Sequence, residues 1–272
     1  MTSDVAPQGR VLIVAGSDSG GAAGIQADIK SVTALGGFAM TAITTVTAQN
    51  TLGVHGVWPL PLEAVMAQFD VCLSDLGADA IKTGLLGPTP LIEALAERLA
   101  GPAANVPNVV DPVMIASSGQ RLLDERAVDA VRALLVGRAT LVTPKAPEAE
   151  VLTGKTVETL DGQRRAAEAL LELGARGALV KGGHVEGGKI VDVLQTHDSE
   201  YLFEGTRLDT RATHGTGCTL ASATAAKLAQ GASVLDAVEA ARTYLRRAIE
   251  TAPELGAGHA PVNHAWPINS VE

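Results

Sequence analysis

Aromatic side chains are scarce in this chain: two Trp, two Tyr and three Phe make up 3% of its 272 residues. Hydrophobic residues still amount to 46%, so a core must be built from Ala, Val, Leu and Ile. Such residues suit a parallel sheet with helices on both faces. Cysteine is equally sparse. Cys72 and Cys218 stand far apart, which gives neither a zinc spacing nor a disulfide framework and fits a reducing cytosol. Cys72, inside Val71-Cys72-Leu73, reads as core. No apolar run approaches the ~18 residues of a membrane span, and residues 1–9 are polar, without the apolar stretch of a signal peptide. Basic blocks are missing too. With a net charge of −9, the chain's field attracts neither nucleic acid nor an anionic membrane. Any phosphate bound here must be held locally, by backbone N–H groups, a few cations and a metal. Two nucleotide signatures are also absent: there is no Gly-x-x-x-x-Gly-Lys-Ser/Thr loop, and the glycines at 16–24 do not fit the dinucleotide fingerprint.

What is present is an alternation of short apolar runs and amphipathic ones. Residues 11–15, 38–46, 78–82, 108–111, 140–143 and 177–181 read as buried strands. Between them Ile25, Ile29, Val32 and Leu35 recur at helical spacing before Gly36-Gly37, and helices are predicted over 62–76, 88–99, 125–135, 147–152 and 160–173. Residues 189–194 and 200–203 read as an antiparallel edge. Helices over 217–230 and 234–251 follow, then an irregular tail from 253 to 272. Strand, glycine-rich loop and helix in repetition predict one doubly wound α/β domain spanning 1–272, with a mostly parallel sheet and irregular termini.

Ligands of such sheets sit beyond the carboxyl ends of the strands. Polar groups cluster at those exits: Gly16-Ser-Asp18 after the first strand, Thr47-Ala-Gln49 after the second, then Lys82-Thr-Gly84, Asp111-Pro-Val113, Thr143-Pro-Lys-Ala-Pro-Glu148 and Lys181-Gly-Gly-His184. His214-Gly-Thr-Gly-Cys-Thr219 opens directly into a helix. A helix start leaves N–H groups unpaired at the positive end of its dipole. Gly215 and Gly217 let an anion approach that backbone. In the first turn the same field lowers a thiol's pKa, so Cys218 is expected near the thiolate form. An anion hole containing an ionisable group suits phosphoryl transfer.

Taken together, Ala15-Gly-Ser-Asp18, Gly24-Ile-Gln-Ala-Asp-Ile-Lys30, Ala48-Gln-Asn-Thr51, Lys82-Thr-Gly84, Asp111-Pro-Val-Met114, Val180-Lys-Gly-Gly-His184 and the 214–219 hexapeptide resemble the hydroxymethylpyrimidine/phosphomethylpyrimidine kinases of thiamine biosynthesis, within the ribokinase-like superfamily. The match runs from about residue 10 to 250. The resemblance implies a cytoplasmic homodimer using ATP and Mg²⁺. It would phosphorylate 4-amino-5-hydroxymethyl-2-methylpyrimidine to the monophosphate and then to the diphosphate. It further implies that Gln49 pairs with the aminopyrimidine edge, as a carboxamide does with adenine. Asp28 would contact the substrate through its amino group or hydroxyl, and Gly16, Thr47, Leu85 and Val113 would line the same pocket. Cys218 would be the catalytic base, with Gly215, Thr216 and Gly217 holding the developing charge. Lys181 and Lys145 would lie at the nucleotide, and Asp111 and Glu148 near the metal. His184 would order a loop.

Three departures from the family pattern stand out. Ala22 and Ala23 occupy a stretch usually richer in glycine, and Ser117 replaces a commoner lysine. Lys145 takes the place of an asparagine; a cation there either repels Mg²⁺ or contacts phosphate. A pyridoxal kinase of the same subgroup and a non-catalytic sensor of pyrimidine or pyridoxal phosphate share the scaffold and remain alternatives.

Overall fold

The computed structural model describes residues 6–115, 122–184 and 189–268; Ser117, the side chain of His184 and the first five residues of the chain lie outside what is described. Nine strands form one sheet in the order β3-β2-β1-β4-β5-β6-β7-β8-β9. The parallel part comprises β2 (Phe38–Asn50), β1 (Arg10–Asp18), β4 (Ala80–Thr83), β5 (Asn108–Val110), β6 (Leu141–Val142) and β7 (Gly177–Val180). Antiparallel strands flank it: β3 (Gly53–Pro59) on one side, β8 (Lys189–Thr196) and β9 (Glu200–Thr206) on the other. Helices α2 (Leu62–Asp75), α3 (Thr89–Ala100), α4 (Glu125–Ala130), α5 (Ala146–Thr153) and α6 (Leu160–Glu172) cover one face. On the other lie α1 (Gly24–Ala34), α7 (Thr216–Ala229) and α8 (Val234–Glu250).

The central strands are buried on both faces, so Val11 to Val14 are wholly inaccessible and carry no polar alternation. Helix α7 packs through Ala221, Ala225 and Ala226; these small side chains allow it to lie close against β1 and β4. Such packing explains how a core with few aromatics closes. The doubly wound prediction holds, including the antiparallel edge. Cys72 is only partly buried against the core.

Three local features differ from the sequence reading. Strand β2 continues to Asn50 and returns as β3 through a short turn, pairing Gln49 with Val54. Thr47 and Gln49 therefore sit on a strand and not in a loop beyond it. The side chains of residues 53–59 are mostly exposed, with Trp58 outward, which hides any simple hydrophobic period from the sequence. The helix predicted over 125–135 changes hydrogen-bond pattern after Ala130, with a π turn over Val131–Leu135 and a 3₁₀ turn over Val136–Arg138. The tail after Thr251 has no helix or strand of length, yet it is pinned. Ala260 N–H donates to the Arg211 carbonyl at 2.8 Å, His259 N–H to Thr51 at 2.8 Å, and His214 N–H to Ala260 at 3.2 Å. Tyr244 Oη donates to the His264 carbonyl at 2.7 Å.

Beneath α7 lies a fully buried ion pair. Lys82 Nζ on β4 donates to both Asp28 oxygens on α1, at 2.9 and 3.0 Å, and Ser222 Oγ on α7 donates to Asp28 Oδ1 at 2.6 Å. Desolvation opposes the ammonium, but the Asp28 carboxylate, with Cys218 and Asp111 adding to it, outweighs that cost and raises the Lys82 pKa. Removing one partner leaves an uncompensated charge. Asp28→Ala should therefore cost about 3–5 kcal/mol of stability, whereas Asp28→Leu with Lys82→Met and Ser222→Ala should recover most of it. Urea unfolding of the two variants measures the difference; equal losses would mean that shape, and not charge, holds this junction.

Candidate active site

The strand order reverses between β1 and β4, the switch point at which doubly wound sheets bind ligands. A cleft of roughly 1430 Å³ opens there. That exceeds the ~300–1,000 Å³ typical of one small-ligand pocket, so there is room for two ligands. From the β1, β2 and β4 exits come Gly16, Thr47, Gln49 and Leu85, with Val113 after β5. The β5, β6 and β7 exits contribute Asp111, Lys145, Glu148 and Lys181, and the start of α7 contributes Gly215, Thr216, Gly217 and Cys218. All these residues were expected at the site, and one cleft gathers them.

Asp28 is the exception. It is fully buried and does not line the cleft; its carboxylate is consumed by Lys82 and Ser222. The reading of Asp28 as a substrate contact is corrected: it sits one layer deeper and holds Lys82, which does reach the cleft wall. Local order places Asp28 near the start of α1, but α1 turns that face toward α7, where Ser222 meets it.

Helix α7 begins without a side-chain cap, after Gly215 in the left-handed region at φ 80°. A Cβ at Gly215 would collide with the Ala22 carbonyl, whereas one at Gly217 would meet Lys181 Nζ at 3.4 Å and Asp111 Oδ2 at 3.8 Å. Gly215 is thus required by the backbone, and Gly217 keeps open the space between the helix start and the Lys181–Asp111 pair (3.5 Å). Ala22 and Ala23 cause no strain, because among the described residues no non-glycine takes positive φ and the turns fall on Gly21 and Gly24.

The charges correct two further expectations. Burial pushes the Cys218 thiol up to about 12; Lys82 pulls it down, while Asp28 and Asp111 push it up. The helix dipole does not make a resting thiolate in this half-buried place. Burial likewise raises Glu148 to about 7, with Lys181 and Lys145 opposing and Asp111 adding to the rise. Lys145 does not stand free. Its Nζ donates to the Ile115 carbonyl at 3.0 Å and lies 3.7 Å from Glu148 Oε1, while its backbone N–H donates to Glu148 Oε2 at 3.0 Å. The lysine's charge is spent largely on Glu148.

Two residues of the site were quoted in motifs without a role. Asp18 accepts from Gly20, Ala22 and Ala23 N–H at 2.8, 3.1 and 2.8 Å, and its Oδ2 lies 3.1 Å from His214 Nε2. Burial acts to raise this carboxyl, but the His214 contact and the Ala23 and Gly20 N–H groups together hold it below its usual value. His214 in turn lies 3.1 Å from the Gln49 carboxamide. Only the proximity of positions 18, 49 and 214, which no local pattern encodes, reveals this cluster.

The family model for phosphomethylpyrimidine kinase matches residues 18–263. The chain belongs to that family. A hydroxymethylpyrimidine/phosphomethylpyrimidine kinase of Streptomyces coelicolor is 50% identical over 258 residues, covering 95% of each protein. Among solved structures, an ADP complex of Bacillus subtilis pyridoxal kinase superposes with a TM-score of 0.89 at 34% identity, covering 95% of this chain and 98% of that one. A phosphomethylpyrimidine kinase of Clostridium difficile gives a TM-score of 0.79 at 36% identity, with 88% and 99% covered. The fold is that of these vitamin kinases, and the chain is a phosphotransferase of the pyrimidine branch.

Glu148 gives the site a measurable pH signature. Its carboxyl is raised from 4.5 to about 7 in the folded protein, so between those values the unfolded chain loses its proton first and stability falls as pH rises. Above the folded value the full penalty applies, on the order of 3 kcal/mol. Glu148→Gln keeps the acceptor for Lys145 N–H and carries no charge. It should melt higher than the parent protein at about pH 8.5 and nearly level with it at about pH 5, in the absence of nucleotide and metal. Thermal melts at both values decide it; a Glu148→Gln protein that melts lower at alkaline pH would show the carboxylate to be stabilising.

Proposed function

We propose that this cleft carries out two successive phosphorylations, of hydroxymethylpyrimidine on its hydroxyl and then of the resulting monophosphate on its phosphate, with ATP as donor. The observation that carries the reading is the pairing, in one cleft, of a carboxamide (Gln49) at the β2 end with an uncapped helix start (Gly215 to Cys218) at the other. The carboxamide offers a donor and an acceptor side by side, matching a ring nitrogen beside an amino group. The helix start offers N–H groups for the oxygens of the phosphoryl group in flight. Support from outside comes from the relatives named for both substrates and from the ADP bound by the pyridoxal kinase. The pyridoxal kinase likeness makes pyridoxal the comparison substrate in any assay.

The donors for a divalent cation fit Mg²⁺. Asp111 Oδ2 is buried without a hydrogen-bond partner, and Glu148 faces the same charges. Among the described residues no group of three or more ligating side chains occurs. Mg²⁺ takes one or two carboxylates and completes its shell with phosphate oxygens and water. Asp111 and Glu148 would hold it, and when bound it supplies positive charge to the phosphates. Lys181, beside Asp111, would meet the phosphate chain from the other side.

In the first reaction the substrate oxygen forms a bond to the γ-phosphorus, the bond from that phosphorus to the β–γ bridging oxygen breaks, and the hydroxyl proton is lost. Cys218 takes that proton as thiolate, a minor form in the empty cleft; Lys82 is the nearby group that favours it. In the second reaction the attacking phosphate oxygen is already ionised, so no base is needed. The reading extends to a one-domain cytoplasmic homodimer; exposed Val46 and Trp58, paired across the β2–β3 hairpin, supply an apolar face for a second copy.

Incubation with ATP, Mg²⁺ and hydroxymethylpyrimidine should give mono- and then diphosphate by mass. Single-turnover rates should fall by about 10²–10⁴ for the first step in Cys218→Ala, and by less than about tenfold for the second. Because the thiolate is the working form and its pKa is raised, the first-step rate of the parent enzyme should climb with pH across the neutral range, and that climb should vanish in Cys218→Ala. Equal losses in both steps would make Cys218 part of the pocket's shape and not its base.

A further inference from the structure

The hydrogens around Gln49 can be assigned from their neighbours. Asp18 is pinned as a carboxylate by three backbone N–H groups, so it only accepts. Its contact with His214 Nε2 at 3.1 Å therefore requires a hydrogen on Nε2, in the neutral or the charged ring. A nitrogen that carries a hydrogen has no lone pair to offer the Gln49 group 3.1 Å away. The far end of the carboxamide meets the same kind of constraint. Thr47 Oγ1 donates to the Ser17 carbonyl at 3.0 Å, and that hydrogen is its only one. Toward the Gln49 group at 3.3 Å it can then only accept. With the amide nitrogen against His214 and the oxygen against Thr47, donor faces donor at one end and acceptor faces acceptor at the other. Turning the amide over by 180° relieves both, because the two ends of a carboxamide are nearly the same shape: the NH₂ then donates to Thr47 Oγ1, and the amide oxygen shares with Asp18 the one hydrogen on His214 Nε2.

We propose that Asp18, His214 and Thr47 are positioning residues that lock the Gln49 carboxamide with its oxygen toward His214 and its NH₂ toward Thr47, and thereby fix which way round the pyrimidine binds. The consequence follows from the order of groups on the ring, and rests on the reading that Gln49 pairs with the substrate. Along the recognised edge the ring nitrogen comes first, the amino group next, and the carbon bearing the hydroxymethyl group after that. The NH₂ on the Thr47 side donates to the ring nitrogen, and the oxygen on the His214 side accepts from the amino group. The hydroxymethyl group then leaves the edge on the His214 side, where the chain runs directly into Gly215, Thr216, Gly217 and Cys218. The opposite amide orientation would send it toward Thr47, away from the helix start. A freely turning Gln49 would bind the ring equally well both ways and hold part of it unproductively.

Two measurements test this. Nitrogen NMR of the histidine ring in the parent enzyme should show Nε2 of His214 carrying a hydrogen, with and without hydroxymethylpyrimidine; a lone pair on Nε2 overturns the proposal directly. Steady-state kinetics at saturating ATP supply the second. Thr47→Val keeps the shape but cannot accept from the amide, so Gln49 gains freedom to turn. Unproductive binding lowers kcat and KM together, so kcat for the pyrimidine should fall about twofold, with KM falling by the same factor. A raised KM at unchanged kcat would mean that Thr47 merely contributes affinity, and would sink the orientation argument. Gln49→Leu serves as the control for the underlying reading: it should raise the pyrimidine KM about tenfold or more and leave that for ATP unchanged. Should Gln49→Leu leave the pyrimidine KM unmoved, the pairing itself fails, independently of any lock.

Discussion

The buried pair of Lys82 and Asp28 is the constraint from which the rest of the site takes its position. It ties β4 to α1, and through Ser222 it ties both to α7. Cys218 and Ser222 are four residues apart, hence on one face of the helix. The charge pair therefore lies directly below the first turn that faces the cleft, which is why Lys82 and Asp28 both act on the Cys218 thiol. An apolar contact at this junction would let the helix slide. A pair with fixed hydrogen-bond geometry sets its height and rotation, in the manner of a register device.

Electrostatics of the two halves of the cleft differ in kind. At the Gln49 end the groups are neutral or singly pinned, and recognition depends on where hydrogens sit. At the Asp111–Glu148 end two acids and two lysines are crowded together, with Glu148 pushed up by burial and by Asp111. Such crowding is tolerable on the proposed reading, in which phosphate and a cation redistribute the charge when they arrive. Lys145 is best understood in this light: it balances Glu148 within the protein.

Much of this was legible in the sequence, and for identifiable reasons. The strands at 11–15 and 177–181 are apolar without alternation because parallel central strands are covered on both faces, and the glycines that end α1 mark its boundary. The strand exits could be listed by rule, since ligands gather at the carboxyl ends. What escaped was everything set by distant contacts. Asp28 was expected to contact the substrate because the partner that buries it is 54 positions away on another strand. The Cys218 thiol was expected to be acidic because a helix dipole is readable from local order, whereas the depth of burial that overrides it is not. The β3 strand was missed because its outward side chains belong to an edge.

The pinned tail bears on how the site comes into being. Arg211 and His214 exchange backbone hydrogen bonds with Ala260, and Thr51 receives His259, so the segment carrying His214 is held against the hairpin by residues translated some forty-five positions later. The sheet can assemble while the chain is still being made, since its strands precede α7. The loop that faces the phosphates cannot be clasped until the closing turn has left the ribosome. Nascent chains of this fold would therefore be compact before they are competent, and competence would arrive in a single late docking event.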